Sequence, residues 1–250
     1  MTSYENFALV YDRLMKNAPY DEWLQFTNHF IKNKQINSVV DLGCGTGEIT
    51  LRLAEQNRQL FGVDLSADML SIAEQKAIDL AKQVNWIKQD IRELEGFTNI
   101  DLCVSYCDVI NYITAEEDLD RVFHHVYESL SDQGIFIFDV HSMEHVNKNL
   151  TNQTFTYTAE DVAYIWDCEP GECDGEMYHE MTFFYKNSTK SNTYTRIEES
   201  HYQRTFPVET YVDLLTQANF SHIELYGDFS IENEFSEQDS ERIFIIARKK

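Results

Sequence analysis

Val39-Val40-Asp41-Leu42-Gly43-Cys44-Gly45-Thr46-Gly47-Glu48 is the stretch that decides the fold of this 250-residue chain. A β-branched run that starts at Ser38 ends in three alternate glycines, and a helix-like segment opens at Glu48. Glycines at a strand–helix junction permit a tight turn. They also let a ligand lie against backbone N–H groups at the positive end of a helix. Gly43 and Gly45 fit the first two positions of the dinucleotide pattern G-x-G-x-x-G, but Glu48 stands at the third. A pyrophosphate would meet two carboxylates there, Asp41 and Glu48, so a cofactor with an ammonium group and no phosphate suits the loop better. A plain turn remains compatible with the same residues.

Outward from this stretch the chain alternates short apolar strands with helices. Strands read at 38–42, 59–63, 84–88, 100–105 and 134–140, and helices at 48–56, 66–82 (capped by Ser66) and 116–130. Two amphipathic helices, 5–16 and 21–32, precede them, with Asp21 as the expected N-cap of the second. Alternation of this kind predicts parallel βαβ units in a doubly wound sheet, with a ligand crevice beyond the strand carboxyl ends. Residues 151–206 break the pattern. They are rich in Thr, Tyr, Phe and Trp, with period-2 runs such as 178–185 and turns at Glu169-Pro170-Gly171 and Lys186-Asn187-Ser188, which predicts antiparallel strands. Pro207 then opens a helix to about Ala218, and 223–226 and 243–247 close the sheet. The domain expectation is therefore 1–150 and 207–250 as one α/β unit, with 151–206 as an inserted β-rich lid.

Composition narrows the function. With 20 Lys+Arg against 43 Asp+Glu the net charge is −23, while 43% apolar residues suffice for a core. Such a surface repels a phosphate backbone and anionic membranes, so neither nucleic acid nor membrane is an expected partner. No apolar run reaches the roughly 20 residues of a membrane span. Met1 to Val10 lacks a basic region and an apolar core, so no signal peptide is expected. The odd number of cysteines, five, fits reduced thiols in a cytoplasm. No metal is expected either. Cys168 and Cys173 are too far apart for a C-x-x-C pair, and His141 and His145 lack a third ligand.

Acids at successive strand ends point to a nucleoside. Asp64 closes the second strand about 20 residues past the glycine loop, where a carboxylate can accept both hydroxyls of a ribose. Asp90 closes the third strand, where an acid can take an exocyclic adenine amine while Ile91 packs on the ring. Leu65 and Met69 offer apolar cover.

These motifs, VVDLGCGTGE, VDLSADML and the acid in QDI, resemble class I S-adenosylmethionine-dependent methyltransferases over about residues 35–140. Tyr106-Cys107-Asp108-Val109-Ile110-Asn111-Tyr112 is similar to the CDSLNY-type segment of small bacterial members related to the glycine N-methyltransferase type. Phe7-Ala8-Leu9-Val10-Tyr11-Asp12 is similar to their FAxxYD entry helix. The resemblance implies a Rossmann-like seven-stranded sheet whose last strand is antiparallel. It implies S-adenosylmethionine as cofactor and S-adenosylhomocysteine as product. Gly43, Cys44 and Gly45 would line the methionine part with Asp41 beneath, Asp64 would hold ribose, and Asp90 with Ile91 would hold adenine. Backbone of Tyr106 and Cys107 would lie near the amino group, and Tyr11 near the carboxylate.

Methyl transfer from a sulfonium is an in-line displacement in which the protein chiefly positions the reactants in a dry pocket. Candidate acceptor-site residues are Asp108, Asn111 and Tyr112 after strand four, His141 after strand five, and Trp166 in the insertion. From Glu160 to Glu180 there are eight carboxylates and no Lys or Arg, interleaved with aromatics. Acid plus aromatic is what a cationic amine would use; a solvated outer face or a homodimer interface are the plainer uses of the same residues. The expected activity is methyl transfer to a small-molecule acceptor, with an amine favoured. The alternatives are a nicotinamide-dependent dehydrogenase and a cofactor-binding regulatory protein without turnover.

Overall fold

Residues 38–42 form a strand because Val39, Val40 and Leu42 are stiff or apolar and are covered on both faces: all five positions of Ser38–Leu42 (β1) are buried. The computed structural model describes residues 11–54, 58–187, 193–232 and 235–249. Around β1 the parallel strands are Gln59–Asp64 (β2), Asn85–Lys88 (β3), Ile100–Ser105 (β4) and Leu130–His141 (β5). Helices Glu48–Leu53, Ala67–Asp79 and Glu116–Ser129 cross between them.

Between β5 and the helix Val208–Gln217 the chain leaves the sheet to build four strands, Gln153–Thr158 (β6), Val162–Pro170 (β7), Glu176–Lys186 (β8) and Tyr194–Arg204 (β9), paired antiparallel in chain order. It returns through His222–Gly227 (β10) and Arg242–Arg248 (β11). The seven-stranded order is β10-β11-β5-β4-β1-β2-β3, and β11 runs antiparallel to both of its neighbours. This is the Rossmann-like mixed sheet with an antiparallel last strand, plus a separate antiparallel sheet, that the sequence predicts.

Several boundaries shift for local reasons. The second N-terminal helix is Tyr20–Ile31 with Pro19, not Asp21, at its N-cap. The Pro19 carbonyl accepts the Glu22 N–H at 2.9 Å, so the helix starts one residue early and Asp21 stands in its first turn. β5 begins at Leu130, four residues before Gly134, because Leu130 pairs with Ile100 ahead of a register shift that brings Leu102 opposite Ile135. Ser66 caps Ala67–Asp79 as expected, accepting from the Met69 N–H. Residues 5–10, the end of the helix expected over 48–56, and Ser188 of the second lid turn lie outside the described residues.

Two apolar layers sandwich the main sheet. One gathers Val40, Leu42, Phe136, Phe138, Phe123 and Tyr211; the other gathers Val39, Val104, Ile137, Trp23, Phe26 and Phe244. The small sheet closes over the carboxyl ends of the strands. Contacts that hold its β9 end to the main unit include Asn111 Nδ2 donating to the Arg204 carbonyl (3.0 Å), Thr205 Oγ1 donating to the His141 carbonyl (2.5 Å), Arg204 Nη1 donating to the Thr114 carbonyl (3.4 Å), and Tyr112 Oη meeting His201 Nδ1 (3.0 Å).

Candidate active site

After β1 the chain turns in the left-handed region, with φ of +70° at Gly43 and +52° at Gly45, and the Gly43 N–H donates to the Val63 carbonyl at 2.8 Å. A Cβ on Gly43 would stand 2.4 Å from Val109 Cγ1, whereas one on Gly45 would meet nothing within 4 Å and would enter open space. The turn is thus pressed against the loop after β4 on one side and opens to a cavity on the other.

Two neighbouring cavities lie there. The smaller, about 40 Å³, is bordered by Asp41, Cys44, Thr46, Glu48 and Tyr106. The larger, about 390 Å³, is bordered by Asp64, Ser66 and Met69 on the main sheet, by Val109 and Tyr112 after β4, and by Tyr164, Trp166, Met181 and Phe183 on the small sheet. Tyr11, Gly43, Gly45 and Cys107 border both.

The main-sheet side is fully paired. Asp64 accepts the Gly45 N–H on Oδ2 and the Ser66 N–H on Oδ1, both at 2.8 Å, and burial raises its pKa against those bonds. Asp41 is buried beneath the turn, accepts from Thr50 Oγ1 at 2.5 Å, and has its pKa pushed up to about 7 by that burial. Glu48 does not stand as a free negative charge. Lys76 Nζ lies 2.8 Å from it and 2.6 Å from Asp12, and Arg52 pairs with it one turn on.

Behind the loop after β4 sits a buried ionic brace. Cys107 and Asp108 both have positive φ, which costs energy for residues with a Cβ. Asp139 holds that conformation by accepting the Asp108 N–H at 3.1 Å and the Cys107 N–H at 3.4 Å. Trp23 Nε1 donates to Asp139 at 2.6 Å, and Arg242 reaches both Asp139 (3.1 Å) and Asp108. Burial alone would raise the Asp108 pKa, but Arg242 and His141 beside it hold the carboxyl far below its ordinary range. Asp139, with Asp108 as a like charge, is raised by its burial.

The residues expected from sequence therefore divide. Tyr11, Asp41, Gly43, Cys44, Gly45, Asp64, Met69, Tyr106 and Cys107 border the cavities, as do Tyr112 and Trp166. Asp108, Asn111 and His141 border neither; His141 Nε2 lies 3.2 Å from Asp108, and Asn111 Oδ1 accepts the His141 N–H, so they form part of the brace. Leu65 is 62% exposed, Asp90 is forked onto Arg92, and Ile91 packs in the core; none of the three borders either cavity.

The carboxylates of the 160–180 stretch also fall elsewhere. Asp167, Glu169 and Glu180 point to the outer face, Asp161 pairs with Arg13, and Glu176 accepts from Tyr202 and the Cys173 N–H. The carboxylate that does border the larger cavity from the small sheet is Glu199, which the sequence reading passed over. The signal was available: in Ile197-x-Glu199-x-His201-x-Gln203 strand alternation puts Glu199 on the face of Ile197. That face also carries a polar row, in which Trp166 Nε1 donates to His179 Nδ1 (3.0 Å) and His179 Nε2 meets Gln203 Oε1 (3.0 Å). Burial lowers the His179 pKa to about 4, so the ring is neutral and the Nε2 proton is the one given to Gln203. Among the described residues no group of three His, Cys, Asp or Glu is placed to hold a metal ion, and no helix is long and apolar enough to cross a membrane.

Residues 39–134 match the family described as "Methyltransferase domain". A candidate methyltransferase of Geobacillus sp. (strain WCH70) is 37% identical over 250 residues, covering 99% of this chain and 100% of the relative. Another, of Bacillus subtilis (strain 168), is 39% identical over 247 residues, covering 98% of this chain and 97% of the relative. Among solved structures, an S-adenosylmethionine-dependent methyltransferase from Clostridium acetobutylicum ATCC 824 superposes with a TM-score of 0.88 at 29% identity, covering 99% of each chain.

Proposed function

Because this chain belongs to the class I S-adenosylmethionine-dependent methyltransferases, we propose that it methylates a small molecule held between the glycine turn and the four-stranded sheet. The observation that carries this reading is the single larger cavity, which is bordered at one end by Gly43, Gly45 and Asp64 and at the other by Tyr164, Trp166 and Phe183.

The residues at the first end fit the cofactor. Gly45 leaves open space where any other residue would put a Cβ. Each Asp64 oxygen receives one backbone N–H, and a carboxylate oxygen has two acceptor sites, so both remain able to take a ribose hydroxyl. Asp41, Cys44 and Tyr11 border the smaller recess, where the aminoacyl end would lie. Met69 and Ser66 flank Asp64. When bound, the cofactor supplies a methyl group already activated by a sulfonium charge.

The chain's own part is positioning and drying. The brace of Asp108, Asp139 and Arg242 fixes the strained Cys107–Asp108 backbone, and so fixes Val109 and Tyr112 at the cavity wall. Tyr164, Trp166, Met181 and Phe183 exclude water from above. In-line displacement needs little more than such alignment. Five unbridged cysteines support a cytoplasmic setting for this work.

Calorimetric titration with S-adenosylmethionine, S-adenosylhomocysteine and NAD tests the reading. Micromolar binding of the first two and none of NAD is expected. Binding of NAD alone would overturn it and void the residue assignments.

A further inference from the structure

Glu199 lies on the cavity-facing side of β9, between Ile197 and His201 along the strand and directly across from Met181 of β8. It is 7% exposed and borders the larger cavity. Its Oε1 is sealed from solvent, and among the described residues it has no hydrogen-bond donor. The other carboxylate of that cavity, Asp64, receives two backbone N–H groups. A buried charge without a partner destabilises a fold. A fold that keeps one in a ligand cavity is therefore incomplete without the ligand.

The surroundings say what the ligand brings. Among the described residues that border the cavity there is no Lys or Arg, and both charged groups are carboxylates. Burial lowers the His201 pKa, so that neighbour does not supply a cation. Tyr164, Trp166 and Phe183 border the same space and offer ring faces, which attract cations. An alcohol or thiol acceptor would leave the carboxylate without a counter-charge, and an anionic acceptor would be repelled.

We infer that Glu199 binds the ammonium group of the methyl acceptor, which makes the acceptor a primary or secondary amine with an apolar or aromatic body. This rests on the methyl-transfer reading above. An ammonium nitrogen has no lone pair, so it must first lose a proton. The N–H bond breaks, its proton passes to the Glu199 carboxylate, and the pair stays on nitrogen. That pair forms the N–C bond to the methyl group as the C–S bond breaks, its electrons remaining on sulfur. The methylated amine leaves as an ammonium ion, and Glu199 returns its proton to water. Burial raises the Glu199 pKa, which favours the first transfer.

The test uses the purified full chain saturated with S-adenosylhomocysteine, with benzylamine and its neutral counterpart benzyl alcohol as probes, read by tryptophan fluorescence. Wild type should bind benzylamine at least tenfold more tightly than benzyl alcohol. Glu199→Gln should bring the two within twofold of each other and leave the affinity for S-adenosylhomocysteine unchanged. Met181→Lys keeps the test open should Glu199→Gln fold poorly: it sets an ammonium across the strand pair from Glu199 and should abolish the benzylamine preference. Equal binding of the two probes to wild type, no saturable benzylamine binding, or a preference that survives in either variant would overturn the inference. Absence of S-adenosylhomocysteine binding with the amine preference intact would instead sink the methyl-transfer reading and still support an ammonium site at Glu199.

Discussion

The seven-stranded and four-stranded sheets meet at one cavity and treat their polar groups in opposite ways. In the first, both faces are covered, β1 is buried throughout, and each carboxylate at the cavity is already bonded: Asp41 to Thr50, Asp64 to Gly45 and Ser66. In the second, one face is solvated and the other holds Glu199 Oε1 without a donor among the described residues. The first surface is complete before anything binds, as suits a ligand that is the same at every turnover. The second waits for its counter-charge. On the proposed reading, preorganisation at one end and an unmet charge at the other would separate cofactor recognition from acceptor choice within one cavity.

The largest effect should come from breaking the preformed side. Gly43→Ala puts a Cβ 2.4 Å from the β-branched Val109 at a φ of +70°. Val109 has little rotamer freedom with which to give way, so the turn must move. Loss of more than about 100-fold in S-adenosylhomocysteine affinity is expected, some 2.7 kcal/mol or more. A tenfold or smaller loss by calorimetry would mean that the contact with Val109 does not set the turn.

Asp41→Asn sharpens the same side through pH. In the folded chain Asp41 keeps its proton up to about pH 7, whereas a free carboxyl loses it near 3.8. The folded state therefore binds the extra proton between those values, so stability falls as pH rises through that window, and the full penalty stands above it. A neutral Asn carries no such penalty. At about 1.4 kcal/mol per unit, the variant should be more stable than wild type by on the order of 4 kcal/mol at pH 8, and equal to it below about pH 3. Thermal melts at the two pH values measure this. A constant difference between them would place the proton elsewhere. Asp64→Ala should act on binding rather than stability, weakening S-adenosylhomocysteine by about 1–3 kcal/mol. Unchanged affinity would remove Asp64 from the site.

On the waiting side, Trp166→Ala removes a cavity wall and the donor to His179. It should raise the acceptor KM about tenfold, roughly 1.4 kcal/mol, and move cofactor affinity less than twofold. Equal effects on both ligands would dissolve the distinction between the two sheets.

How much of this was readable follows the same division. Strand and helix periods, the glycine turn and the acids at strand ends are local signals, and β1, β4 and Ser66's cap lie where the sequence puts them. The strands of the insertion were readable as strands, but which carboxylate faces inward depends on register. Asp167, Glu169 and Glu180 alternate outward with Tyr178, while Glu199 falls on the inner face through its pairing with Met181. The brace was also hidden, because Arg242 reaches Asp108 across 134 residues and no local pattern announces that contact. His141 and Asn111 were expected at the acceptor site from their chemistry; that His141 lies against Asp108 and that Asn111 accepts its N–H depend on tertiary contacts the local sequence does not show.

The smallest expected effect completes the comparison. Glu169→Gln and Glu180→Gln lie on the solvated face of the small sheet, Glu180 bonded only to Ser200 Oγ (2.6 Å) among the described residues. If the acidity of the insertion as a whole attracts a cationic acceptor, removing two charges should raise the acceptor KM, and the rise should shrink with added salt. If recognition belongs to the one buried carboxylate, the exposed pair is screened and the double variant should match wild type within twofold in KM and within about 0.5 kcal/mol in stability. A salt-sensitive rise in KM comparable to that of Trp166→Ala would return acceptor recognition to the outer acids and leave Glu199 a buried carboxylate of the inner face.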